Sequence, residues 1–107
     1  MDALDISLNG GIMTAKLLGD MDHHGVSEVR ELIDESMYRS MPAVLNIDLA
    51  GVEFIDSSGL GLILGRYEKA RDIGTQVVIS NPSKRTRKLI MMTGIDKMMT
   101  VKEEIKR

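Results

Sequence analysis

The chain has 107 residues, 43% hydrophobic and 28% charged, with a formal net charge of −2; this size and balance predict one globular domain over 1–107 and leave no room for a second hydrophobic core. The absence of cysteine excludes disulfides, thiolate nucleophiles and cysteine metal sites. The slight acidity gives little pull on nucleic acid, no apolar run reaches the ~20 residues of a membrane helix, and Met1-Asp2-Ala3 does not read as a signal peptide, so a cytoplasmic chain with no direct nucleic-acid or membrane partner is expected.

In chain order, residues 4–8 alternate apolar and polar, and Asn9-Gly10-Gly11 separates them from a second extended run, Ile12 to Leu18. This is the signature of a β-hairpin. From Val26 the period changes, with Val26, Val29, Ile33 and Met37 on one helical stripe and Leu32 and Ser36 beside it, until Met41-Pro42 ends the helix. Ala43 to Leu49 alternates again, with Leu45, Ile47 and Leu49 on one face and Asn46 and Asp48 on the other.

After a link from Ala50 to Asp56, apolar residues at Leu60, Ile63, Leu64, Tyr67 and Ala70 predict a second helix, with Gly74 placed to cap its end. Thr75 to Ile79 reads as a short buried strand. Asn81-Pro82 then offers a capping residue followed by proline at the first helical position, opening a helix that runs to about Met92 and stops near Gly94. Met98 to Val101 reads as a brief last strand or packed tail, and Lys102 to Arg107 as a short helix or a frayed end. The order β-β-α-β-α-β-α predicts an α/β domain: a mixed sheet of four to five strands packed with three to four helices, parallel from the third strand onward.

Residues 53–67 carry more than a strand-to-helix turn requires. Asp56 and Ser57 can each cap a helix and one cap suffices, so Ser58 and the glycines at 59, 61 and 65 are surplus. A glycine inside a helix costs about 0.5–1 kcal/mol relative to alanine, so three of them sum to roughly 2 kcal/mol that packing or function must offset. They do not share one face. Close helix packing explains some of them, and a bare surface for an approaching partner explains the rest.

Asp56-Ser57-Ser58-Gly59-Leu60-Gly61, followed by Leu62-Ile63-Leu64-Gly65-Arg66-Tyr67, closely resembles the STAS domains of bacterial anti-sigma factor antagonists, in particular their sporulation sigma-F branch. Gly19-Asp20-Met21-Asp22-His23-His24 is similar to that branch's Gly-acidic-x-Asp-His-His segment, and Leu89 to Lys97 to its late helix and Gly-hydrophobic-x-Lys exit. The resemblance implies a non-enzymatic protein without a cofactor. Its unphosphorylated form would bind a nucleotide-bound anti-sigma factor that is also a serine kinase and release the sigma factor, and a serine phosphatase would reset it. Alignment makes Ser57 the phosphoacceptor, with Asp20, Asp22, His23, Asp56, Ser58, Gly59, Leu60 and Gly61 as partner contacts. The alternative within the family is a STAS module of another pathway: a stress-response antagonist, a signalling scaffold or a transporter-associated domain.

The competing chemistries fit poorly. His23 and His24 are adjacent and lack a third ligand at matching spacing, which disfavours a metal site. Asp-Ser-Ser-Gly is not the Gly-x-Ser-x-Gly elbow of a serine hydrolase, and the glycines lack the Gly-Lys-Ser/Thr of a phosphate-binding loop. Asp22 doubles as a plausible cap for the first helix. The basic run Lys84-Arg85-Thr86-Arg87-Lys88 reads as a solvated helix face.

Overall fold

The computed structural model describes residues 3–20 and 23–103. In chain order the elements are β1 (Leu4–Asn9), β2 (Ile12–Leu17), α1 (His23–Ser40), β3 (Val44–Asp48), α2 (Ser57–Asp72), β4 (Gln76–Ser80), α3 (Lys84–Thr93), a 3₁₀ turn (Ile95–Lys97) and β5 (Thr100–Lys102). The strands form one sheet in sequence order, β1 antiparallel to β2 and each later neighbour parallel. The hairpin turn is the expected one. Gly10 and Gly11 have φ of 59° and 83° between the paired Asn9 and Ile12, the left-handed pair that a two-residue hairpin loop needs.

Register turns the alternation of each strand into a one-sided sheet. Ile6, Ala15, Ile47, Ile79 and Val101 are successive partners across all five strands, and together with Met13, Leu17, Leu45 and Val77 they pack against residues of all three helices in one apolar core. From the helices come Val29, Ile33 and Met37 of α1, Leu62 and Ile63 of α2, and Ile90 of α3. The opposite face carries Asp5, Lys16, Asp48, Ser80 and Lys102 in register. Alternating charge between neighbouring strands favours this pairing. Asn46 and Ser80 are nevertheless buried there, and the Ser80 hydroxyl donates to Asn46 Oδ1 at 2.8 Å.

Several boundaries differ from the sequence reading. Helix α1 already includes His23, three residues before the first stripe residue, Val26. Helix α3 is capped by Ser83, whose hydroxyl accepts the Thr86 N–H at 3.1 Å, and not by Asn81. Asn81 instead has φ of 57° and donates its amide to Asp48 Oδ1 at 3.0 Å, so Pro82 precedes the cap rather than opening the helix. The end of α2 is as expected: Ile73 follows its last residue, Asp72, and Gly74, with φ of 77°, takes the left-handed position beyond it. Lys102 belongs to β5, and the rest of the charged end, 104–107, lies outside the described residues.

One buried charge locks α1 to α2. Arg66, 2% exposed, sets its Nε 2.6 Å from Asp34 Oδ1 and donates from Nη1 to Leu62 O at 3.3 Å. Burial pushes the guanidinium below its ordinary value, and the Asp34 charge opposes that shift. Removing the carboxylate alone leaves the cation uncompensated in the interior, which is costlier than removing both groups. Asp34→Ala is therefore expected to lower unfolding free energy by about 3 kcal/mol, and Asp34→Leu combined with Arg66→Leu to recover most of that loss; urea denaturation of both variants checks the pair.

Candidate functional site

The three loops leaving the carboxyl ends of β2, β3 and β4 converge. The link from Leu49 to Asp56 begins with the Leu49 N–H donating to Ser80 O at 2.8 Å and the Ala50 N–H to Asp48 Oδ1 at 3.0 Å. Val52 and Ile55 anchor it in the core. Asp20 reaches across from the β2–α1 loop, its Oδ1 accepting the N–H groups of Glu53 at 3.0 Å and Phe54 at 3.2 Å. From the other side the Ser83 hydroxyl donates to Glu53 O at 2.8 Å. The link thus enters α2 under fixed geometry.

Asp56 caps α2, its Oδ1 accepting from Ser58 N at 3.0 Å and Gly59 N at 3.2 Å. Ser57 is then the first helical residue and is exposed, while Ser58 is half-buried. A hydroxyl at this position faces solvent where the helix dipole favours negative charge. The two chemically alike serines therefore differ in access.

The glycines separate by the space around them. A Cβ on Gly59 would stand 2.6 Å from Ile55 Cγ2, closer than side chains pack, whereas one on Gly61 or Gly65 would meet nothing within 4 Å. Gly59 is buried, so its expected place at a partner surface is corrected: it lets α2 close over Ile55. Gly61 is exposed and has no packing need for the missing side chain.

The site has two flanks. On one, Asp20, Gly19, Leu17, Val52 and Asp56 enclose a cavity of about 70 Å³. On the other, a groove of about 630 Å³ opens between α2 and α3, with Ser57, Phe54 and Leu60 on the α2 side and Arg85, Lys88, Leu89 and Met92 on α3. Arg85 lies over the Phe54 ring, 4.6 Å from its centroid. The basic run is therefore not a uniform solvated face. Arg87 pairs with Glu103 at 3.1 Å, while Arg85 and Lys88 line the groove.

The STAS domain profile matches residues 3–107. The chain belongs to the STAS domain family. An anti-sigma F factor antagonist of Paenibacillus polymyxa is 31% identical over 98 residues, covering 92% of this chain and 84% of the relative. The unphosphorylated form of the anti-sigma factor antagonist SpoIIAA superposes with a TM-score of 0.80 at 26% identity, covering 92% of this chain and 87% of that one. The phosphorylated form of the Bacillus cell fate determinant SpoIIAA gives 0.75 at 26% identity, covering 92% and 90%.

Within this STAS domain, Asp20, Asp56, Ser57, Ser58 and Leu60 gather at one end of the sheet. Asp22 and the side chain of His23 lie outside the described residues. The sequence reading missed Glu53, Phe54, Ser83, Arg85, Lys88, Leu89 and Met92. The spacing of Arg85, Lys88, Leu89 and Met92, at steps of three and four on one helical face, was the available signal. Two substitutions separate the glycine roles: Gly59→Ala should destabilise by roughly 1–3 kcal/mol through overpacking against Ile55, and Gly61→Ala should stabilise by up to about 1 kcal/mol by restoring helix propensity, both read from thermal and urea unfolding.

Proposed function

We propose that this chain is a phosphorylation-switched anti-sigma factor antagonist. Its unphosphorylated form binds a nucleotide-bound anti-sigma factor that is also a serine kinase, and so frees a sigma factor. Phosphorylation of Ser57 ends the interaction, and a serine phosphatase restores it. The observation that carries this reading is the exposed hydroxyl of Ser57 at the capped start of α2, in a STAS domain whose relatives include an anti-sigma F factor antagonist. The existence of SpoIIAA in phosphorylated and unphosphorylated forms supports a covalent switch.

In the transfer, the Ser57 Oγ attacks the γ-phosphorus of the partner's ATP while the bond to the bridging oxygen breaks. ADP leaves, and the serine proton passes to a base on the kinase. The added group brings about −1.5 to −2 charge next to Asp56, on a surface that previously met the partner with a small neutral hydroxyl. Asp20, Asp22, His23, Asp56, Ser58, Leu60 and Gly61 complete the contact set, with Asp22 an acidic contact for a basic residue of the anti-sigma factor. Gly61 keeps the first turns of α2 bare for approach.

Incubation with the cognate kinase and ATP should place phosphate on Ser57 and leave Ser58 unmodified, as fragment mass spectrometry reads directly; modification at Ser58 would reverse the assignment. Ser57→Ala should bind the anti-sigma factor yet resist inactivation, and Ser57→Asp should bind at least about tenfold more weakly, since a carboxylate then occupies the close contact. Calorimetry distinguishes these outcomes. Amide exchange should show the same protected core in the phosphorylated and unmodified proteins, because the charge is added at an exposed helix start and not in the packed interior; widespread loss of protection would make the switch a folding transition.

A further inference from the structure

We propose that the groove between α2 and α3 receives an amphipathic segment of the partner, apolar where it enters and bearing carboxylates where it crosses Arg85 and Lys88. The floor is suited to apolar side chains. Phe54 is 40% and Met92 75% exposed, with Leu60 and Leu89 half-buried between them. A cluster of exposed apolar side chains of this kind, rimmed by charge, marks an interaction surface.

The rim charge selects the occupant. Among the described residues no carboxylate lies within ion-pair distance of Arg85 or Lys88, and the neighbouring cation Arg87 is already held by Glu103. Asp56 also borders the groove, but its Oδ1 is committed to the Ser58 and Gly59 N–H groups. Arg85 is held over Phe54, so its charge is positioned at the mouth rather than free to swing into solvent. A basic segment would have to bring like charge against these two cations, whereas an acidic one gains by it.

The groove also relates Ser57 to these cations. Ser57 lines it together with Arg85 and Lys88. A phosphate on Ser57 would offer these cations a dense anion of the chain's own and repel the carboxylates of the entering segment. The identity of the partner rests on the antagonist reading above; the chemistry of the groove does not.

The test is calorimetry of the full-length chain against its cognate anti-sigma factor with nucleotide bound. Arg85→Glu and Lys88→Glu should each weaken binding roughly tenfold, and Met92→Ser by several-fold, with melting temperatures unchanged because these side chains are exposed. Asp5→Lys, on the opposite face of the sheet, should bind as the wild type does. Added salt should weaken the wild type more than Arg85→Glu combined with Lys88→Glu. If the wild type binds and the three groove variants match it, the groove assignment is overturned while the antagonist function stands. Tighter binding by the glutamate variants would mean a basic segment and overturn the acidic occupant. If the wild type itself fails to bind, the antagonist reading fails and takes the groove's partner with it.

Discussion

The segment from Leu49 to Asp56 makes no regular secondary structure, so its backbone N–H groups must find partners elsewhere, and those partners decide where Ser57 stands. The Ala50, Glu53 and Phe54 N–H groups are exposed and could bond to water, so their side-chain partners fix the path of the segment rather than rescue buried amides. Here the N–H partners are two carboxylates, Asp48 at the end of β3 and Asp20 in the β2–α1 loop, and the main-chain carbonyls of Ser80 and Leu49, while Ser83 of the β4–α3 loop donates to the Glu53 carbonyl. Asp48 takes the Ala50 N–H and the Asn81 amide, Asp20 takes Glu53 and Phe54, and Ser83 holds the Glu53 carbonyl. Each contact joins segments about thirty residues apart in sequence except the Asp48–Ala50 turn. The link is thus a strap between the β2–α1 and β4–α3 loops, fixed before α2 begins.

That strap also sorts charge. Its carboxylate side holds Asp20 and Asp56, both engaged with backbone N–H groups, while its α3 side presents Arg85 and Lys88 across an apolar groove. Ser57 stands between the two. A neutral hydroxyl there leaves both fields unchanged, and an anion there alters both at once, adding repulsion on the Asp56 side and neutralising cations on the other. In the proposed switch, the effect of a single modification follows from the position of Ser57 at this boundary and requires no movement of the underlying sheet.

The elements set by local chemistry were legible from the chain alone. The Asn9-Gly10-Gly11 turn, the Val29-Ile33-Met37 stripe, the odd-numbered core positions of β3 and the stop of α3 at Gly94 all depend on neighbours in sequence, and all stand as expected. Legibility failed where a distant group competed. Asn81 is as good a cap as Ser83 on propensity, yet its backbone is left-handed with φ of 57° and its side chain is tied to Asp48, thirty-three residues away, while Ser83 has the extended backbone of a cap and accepts the Thr86 N–H. Arg66 follows Ile63 by three residues and precedes Ala70 by four, so it falls beside the buried stripe of α2, and what the chain alone does not show is that Asp34 of α1 makes a charge tolerable there. The motif around Ser57 was visible because its residues are contiguous; the groove was not, because Phe54 and Met92 meet only through the tertiary fold.

Rigidity and exposure are divided within α2 itself, and the proposed local switch depends on that division. Its middle is pinned by Ile63, Ala70 and the Arg66–Asp34 contact against α1 and the sheet, and its base is pinned by Gly59 against Ile55. Its first residue and the open side at Gly61 carry none of that packing. Energy placed on Ser57 by a phosphate therefore has no packed neighbour to push against except a docked partner. A helix whose start shared the core would convert the same charge into strain or local unfolding; in the proposed switch, with the start kept bare and the cap supplied by Asp56 from outside the helix, the charge of a phosphate acts at the interface.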